Sequence, residues 1–334
     1  MSKRIRKDPK FDGPFAPMCI EYIRFKRLQG YSFDGQIYIL HSFDNFCKNY
    51  DIKDYEITEK LAFDWSMSRN GEGETYRCSR IALMRQFAIF LSERGFKTFM
   101  QPFVFRKDKI HTPYIFTKDE IKRIFQVVDN MEYSQKSIYQ HKVYPIIYRM
   151  LYACGFRINE VLGLKLKDID LNSGIVRLTQ PKKNIERLVP MSDSLTKYCQ
   201  SYSMELHKHH DEEFPFIFTM HSEHYCVSAI ERNFRDVMWK AGIHYGGKLY
   251  GPRLHDLRHS FACHTLYSWV KNSENLLTLL PILSKYLGHS GVMSTQWYLR
   301  LTAEFYPDVT EKVNSYTGCV FPEVGGDLIE EKPY

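Results

Sequence analysis

Apolar residues in the first hundred positions recur at helical spacing. Pro17 to Gln29 forms one such pattern, and Gly30 ends it. A second begins at Ser32, with Ile37, Leu40, Phe43 and Phe46 on one stripe. Thr58, Glu59 and Leu61 open a third. The fourth runs from about Glu74 to Arg94, with Ile81, Met84, Phe87, Ala88 and Leu91 on one face and Gly95 as its C-cap. Its other face carries Arg77, Arg80 and Arg85, a basic stripe of the kind that usually faces solvent. From Pro102 to Pro113 the period is lost. Arg106, Lys107 and Lys109 make this stretch a basic linker.

Beyond the linker the pattern becomes mixed. Thr117 and Glu120 form a capping box that starts a helix. Val143 to Ala153 is an apolar helix that stops before Gly155. Ile175 to Gln180 reads as a strand, Pro181 to Glu186 as a polar turn, and Arg187 to Met191 as a returning strand. Ser194 to His207 is helical, Phe214 to Phe218 reads as a short strand, and Ser228 to Ala241 is a helix closed by Gly242. Leu254 to Val270 and Leu277 to Leu287 are helices, and a further helix holds Tyr298. After Pro307 the chain turns acidic, with Asp327, Glu330 and Glu331. The pattern therefore predicts a mainly α protein with a small antiparallel sheet.

Composition adds bounds. With 334 residues, 44% of them hydrophobic, the chain can bury more than one core, so two domains are the expectation. A net charge of +7 permits a polyanionic partner without proving one. The eight cysteines form no C-x-x-C pair and read as free thiols in a reducing compartment. The basic start, residues 1–11, leads into no apolar run, which argues against a signal peptide. No stretch has the length of a membrane span. The cytoplasm is the expected location, with no membrane partner.

Four clusters carry candidate chemistry. The first is Cys154-Gly155-Phe156-Arg157-Ile158-Asn159-Glu160 at a helix junction. The second is the hairpin Gln180-Pro181-Lys182-Lys183-Asn184-Ile185-Glu186-Arg187. The third is His255-Asp256-Leu257-Arg258-His259-Ser260-Phe261. The fourth is Leu287-Gly288-His289, followed by Thr295-Gln296-Trp297-Tyr298. Each has a plain alternative when taken alone: a helix cap, solvated turn lysines, a water-facing helix edge, a packed tyrosine.

Together, and in this order, they resemble the tyrosine recombinase (phage integrase) family. They match its G-x-R-x-x-E box, its lysine-bearing hairpin, its H-x-x-R-H box, and its L-G-H box followed by T-x-x-Y. The resemblance covers about nine tenths of the chain. It implies a helical core-binding domain followed by an α+β catalytic domain, and double-stranded DNA as substrate with a homotetramer formed on it. The implied boundaries are a basic arm at 1–11, the core-binding domain at 12–104, the linker at 105–116, the catalytic domain at 117–318 and a tail at 319–334. Arg77, Arg80, Arg85, Arg106, Lys107 and Lys109 become candidate DNA contacts.

The chemistry gives each residue a reason. In-line attack on a phosphodiester builds charge on two non-bridging oxygens, and planar guanidinium groups grip such oxygens in pairs. Arg157 and Arg258 fit that role, and the resemblance gives His289 a further phosphate hydrogen bond. Tyr298 is the implied nucleophile. A phenol ordinarily titrates near 10, so it needs a base, for which His255 is the candidate. The leaving 5′-oxygen needs a proton, from Lys182 by register with Arg187 or from the neighbouring Lys183. Glu160 supports the site, or forms a simple ion pair. No metal, nucleotide or other cofactor is expected. There is no carboxylate cluster for Mg²⁺ and no Gly-rich phosphate loop, and His209, His210, His221 and His224 lack ligand spacing. Integration, excision or transposition of a mobile element is the leading reading. A chromosome-dimer resolvase, a type IB topoisomerase and a non-catalytic DNA-binding regulator are the alternatives.

Overall fold

Four helices form the first of two compact units: α1 (Ala16–Leu28), α2 (Gln36–Cys47), α3 (Glu59–Ser66) and α4 (Glu74–Ser92). In this computed structural model the described residues are 8–100, 102, 112–135, 137–180, 185–219, 225–247, 251–289 and 293–306. Arg106, Lys107, Lys109, Lys182, Lys183, His221, His224 and the tail beyond Tyr306 lie outside them. The predicted stripes face inward. Phe15, Tyr22, Phe43, Trp65, Phe87 and Phe90 interlock as tilted and edge-to-face rings in one aromatic core. Gly30 and Gly95 end their helices with positive φ, which spares the chain the Cβ clash of other residues.

The basic stripe of α4 departs from expectation at Arg80. Its side chain is fully buried, and so nearly is that of Glu72, at 0% and 4% exposed. Arg80 Nε and Nη2 donate to the Glu72 carboxylate at 2.8 and 2.7 Å. Its other donors reach the carbonyls of Trp65 and Met67, and the guanidinium lies over the Trp65 ring. Arg80 therefore staples the α3–α4 connection and is not a DNA contact. The reason is helical arithmetic. Arg80 stands four, seven and eleven residues before Met84, Phe87 and Leu91, on the stripe that packs inward. Arg77 bonds Glu74 and the carbonyl of Ser66 and keeps partial exposure, and Arg85 is half-buried.

The second unit carries α5 (Lys118–Asp129), α6 (Gln140–Ala153), α7 (Ile158–Gly163), α8 (Asp193–Leu206), α9 (Val227–Lys240), α10 (Asp256–Lys271), α11 (Leu276–Leu287) and α12 (Met293–Phe305). Thr117 and Glu120 form the predicted capping box of α5. The sheet runs β1 (Ile169–Asp170), β2 (Ile175–Gln180), β3 (Ile185–Pro190), antiparallel throughout. Register pairs Leu178 with Arg187 and Val176 with Val189. Val176, Leu178 and Val189 point into the main core, while Arg177 and Leu188 are exposed. The two-residue β1 is too short to leave a periodic signature. Phe214 to Phe218 is not a strand. Pro215 makes one isolated bridge with Lys165, and the rings of Phe214 and Phe218 pack on His207 and His210 instead.

A smaller core joins the helices that matter for chemistry. Ala262, Cys263 and Leu266 of α10 meet Leu283 and Leu287 of α11 and Tyr298 and Leu301 of α12. The cysteines of the described residues are free thiols, and all but Cys226 are buried. No described helix is long and apolar enough to cross a membrane.

Arg80→Ala should destabilise the first unit by about 3–5 kcal/mol, because Glu72 is left as an unpaired buried carboxylate. Urea unfolding followed by circular dichroism measures this. A change below about 0.5 kcal/mol, typical of a surface position, would contradict the buried staple.

Candidate active site

Arg258 occupies the first turn of α10 and is 1% exposed. Its Nη1 donates to the Gly155 carbonyl at 2.6 Å and its Nη2 to the Leu287 carbonyl at 2.7 Å. Nη2 also lies 3.0 Å from His289 Nε2. A guanidinium has donors and no acceptor, so His289 Nε2 accepts and its ring hydrogen sits on Nδ1. Nδ1 then donates to Thr295 Oγ1 at 2.9 Å. One side chain thus ties the first, third and fourth sequence clusters together. Burial, then the charge of Arg157, lowers the Arg258 pKa to about 10, and the group remains a cation at neutral pH.

Arg157 caps α7 at the rim of the same pocket, with 37% of its side chain exposed. Its Nη1 meets Glu160 Oε1 at 2.9 Å, and its Nη2 donates to the Gly288 carbonyl at 3.2 Å. Arg187, on β3, grips Glu160 with a two-pronged pair at 3.0 and 2.8 Å. Both partners are mostly buried, so this is an internal brace and not a surface ion pair. Burial acts to raise the Glu160 pKa, but hydrogen bonds from Arg187 and from the Arg157 backbone hold it below the usual carboxylate value.

Two glycines allow this assembly. Gly155 has φ +60°, and a Cβ there would meet Phe261 at 2.6 Å and Leu287 at 2.9 Å. Gly288 has φ +67°, and a Cβ there would fall on the Arg187 guanidinium. The glycines of the first and fourth clusters are thus required by close approach as well as by backbone conformation.

Tyr298 projects from α12 into this pocket and is 3% exposed. Burial raises its pKa, while the nearby charges of Arg258 and Arg157 act in the opposite direction. Its hydroxyl is hydrogen bonded to His259 Nδ1 at 2.9 Å. This departs from the expectation that His255 serves the tyrosine. His255 caps α10 one helical turn before His259, on the same face. The two rings meet edge to face at 4.7 Å, and among the described residues His255 makes no hydrogen bond to Tyr298. His255 is exposed to solvent. The packing around it, then Arg258 and Arg157, push its pKa down to about 4. His289 is likewise near 4, through burial and then the charges of Arg258, Arg157 and Arg187.

Arg157, Glu160, His255, Arg258, His289 and Tyr298 therefore converge. Lys182 and Lys183 stand outside the described residues, between β2 and β3 in sequence. Two members of the constellation are read in the sequence only as parts of their motifs, without a role: His259, four residues after His255, and Arg187, which sets the register of the hairpin lysines. A cationic pocket with neutral imidazoles and a phenol suits an anionic tetrahedral centre. An anion placed there would favour protonated imidazoles and compete for the Arg258 donor now given to His289.

Comparison with known proteins shows the family of the chain. Residues 115–304 match the phage integrase family. The protein y4rB of Sinorhizobium fredii, named as an integrase/recombinase, is 29% identical over 307 residues, covering 90% of this chain and 96% of that one. XerD of Oceanobacillus iheyensis is 26% identical over 253 residues, covering 73% and 77%. The fold resembles the Tn1549 transposon integrase solved with a circular intermediate DNA, at TM-score 0.60 and 15% identity over 84% of this chain and 94% of that one. It also resembles XerH solved with its difH substrate after cleavage, at TM-score 0.59 and 14% identity over 89% and 82%. The family match spans more than half of the sequence and includes all four clusters, and the chain belongs to the phage integrase family of tyrosine recombinases, which are DNA strand-transferring enzymes.

Proposed function

We propose that this protein recombines duplex DNA at specific sites, cutting and rejoining strands through a 3′-phosphate ester on Tyr298. The observation that supports this most is the convergence of Arg157, Arg258, His289 and Tyr298 on one pocket, with the guanidinium groups braced by carbonyls and Glu160. In the proposed reaction Arg157 and Arg258 bind the non-bridging oxygens of the scissile phosphate. His255 and His289 join them once the phosphate raises their pKa. The Tyr298 oxygen attacks phosphorus in line, the bond to the 5′-oxygen breaks, and Lys182 protonates that oxygen. The ester conserves the energy of the broken bond, and attack by a 5′-hydroxyl reverses each step.

The arginines act mainly on the transition state, where the charge on the equatorial oxygens is greatest. Glu160 and Arg187 act through Arg157. They fix its orientation and, with one carboxylate among several cations, leave the pocket net positive.

We further propose integration, excision or transposition of a mobile element, with four copies assembling on two DNA sites in the cytoplasm. The names of y4rB and of the Tn1549 integrase support this. Resolution of chromosome dimers is the second reading, supported by the relatives named XerA and XerD. Arg85, Arg106, Lys107 and Lys109 remain proposed DNA contacts, with Arg77 at the partly exposed end of its stripe.

A nicked substrate that releases a short 5′-hydroxyl strand should trap a covalent protein–DNA adduct. Tyr298→Phe should abolish the adduct while DNA binding and the unfolding midpoint stay within error. An adduct that persists in Tyr298→Phe would refute the proposed nucleophile. Lys182→Ala should slow cleavage of ordinary DNA by about 10²-fold or more. A substrate with sulfur in place of the scissile 5′-oxygen needs little protonation and should recover most of that loss. Recovery in Lys183→Ala and not in Lys182→Ala would move the acid by one residue.

A further inference from the structure

The H-x-x-R-H segment supplies two histidines to the pocket, and the L-G-H segment a third. Their ring nitrogens are not equivalent. Both nitrogens of His289 are engaged, one accepting from Arg258 and the other facing Thr295. Its ring lies nearly parallel to that of Tyr298, with centroids 6.0 Å apart, and its two nitrogens are bonded to Arg258 and Thr295 and not to the hydroxyl. His255 stands at the solvent edge of the pocket and packs against His259. His259 places Nδ1 at 2.9 Å from the Tyr298 oxygen, with the rings tilted at 47°.

That distance is within the range for direct proton transfer. Tyr298 is buried, so its phenol holds its proton at neutral pH and attack requires its removal. Arg258 lies beside the same oxygen and favours the phenolate once the proton has gone. The helix geometry explains why His259 and not His255 is the neighbour. α10 packs against α12, and the stretch that bears Ala262, Cys263 and Leu266 shares a core with Tyr298 and Leu301. His259 belongs to that end of the contact. His255, a turn earlier, precedes it.

We propose that His259 is the catalytic base of this enzyme. Resting on the assignment of Tyr298 as nucleophile, the step runs as follows. The Tyr298 proton passes to His259 Nδ1 as the oxygen–phosphorus bond forms. The bond from phosphorus to the 5′-oxygen breaks, and that oxygen takes a proton from Lys182. In rejoining, a 5′-hydroxyl gives its proton to the lysine and attacks phosphorus. The tyrosine oxygen leaves and recovers its proton from the His259 imidazolium. No oxidant, metal or further reactant is consumed. His255 is then left to the phosphate side of the pocket, beside Arg157 and Arg258.

The test uses full-length protein and the nicked substrate under single-turnover conditions. Asparagine presents an amide near the position of a histidine Nδ1, so His259→Asn can keep a hydrogen bond to Tyr298 but cannot accept its proton. Adduct formation should fall by roughly 10²–10⁴-fold, the usual contribution of a general base, with DNA affinity retained. Fluorinated tyrosine at position 298 has a more acidic phenol and should restore much of the rate in His259→Asn while changing the parent enzyme little. His259→Ala with added imidazole provides the second variant, with rescue expected. A His259→Asn rate within a few-fold of the parent would overturn the proposal and leave His259 a positioning residue. So would a proton-transfer signature, loss with fluorotyrosine rescue, found in His255→Asn instead. Should neither His259 variant fold, the parent enzyme decides. Its adduct rate should respond weakly to tyrosine acidity if a base shares the proton, and a steep dependence, as for free phenolate attack, would overturn the proposal. Failure of Tyr298→Phe to abolish the adduct would count against the nucleophile itself and is read separately.

Discussion

The site depends on one buried cation. Moving the Arg258 guanidinium out of water costs several kcal/mol, and that cost is offset only if its donors find well-placed acceptors. The acceptors are the Gly155 and Leu287 carbonyls and a ring nitrogen of His289. They come from chain segments more than a hundred residues apart in one case and about thirty in the others. The arrangement of this pocket therefore depends on the packing of the second unit around Arg258. Arg157 reinforces the arrangement through the Gly288 carbonyl, and Phe261 and Leu287 close over Gly155 with no space for a side chain.

The electrostatics follow from that constraint. Arg157 and Arg187 hold Glu160, and desolvation with the charges of Arg258 and Arg157, joined by Arg187 at His289, keeps His255 and His289 neutral in the free protein. An anion in the pocket reverses the balance. It takes up guanidinium donors, relieves the repulsion among the cations and favours imidazolium. In the proposed reaction, substrate binding converts a pocket held together by internal hydrogen bonds into one whose donors face phosphorus. Tyr298 waits inside this pocket, protonated and bonded to His259.

Much of this was legible in the sequence, because the relevant signals are local. The helical stripes of the first unit, the hairpin of Ile175 onward and the capping box at Thr117 all depend on short-range periodicity or turn chemistry. The ordered clusters around Arg157, Arg258, His289 and Tyr298 carried the family resemblance. What escaped was set by tertiary partners. Arg80 looked like surface charge, although its spacing from Met84 and Phe87 places it in the buried stripe beside Glu72. Phe214 to Phe218 had strand-like residues but no neighbouring strand to pair with. The choice between His255 and His259 turned on which helical turn of α10 lies against Tyr298, a fact that spacing alone does not contain.

Arg258→Lys tests the central dependence most directly, because lysine keeps the charge but cannot span the Gly155 and Leu287 carbonyls together. Unfolding midpoint and adduct formation should be measured on the same preparation. The account predicts that both fall together, the adduct rate by roughly 10²–10³-fold, as for loss of a preorganised donor. A lysine variant with full stability and full adduct formation would contradict it.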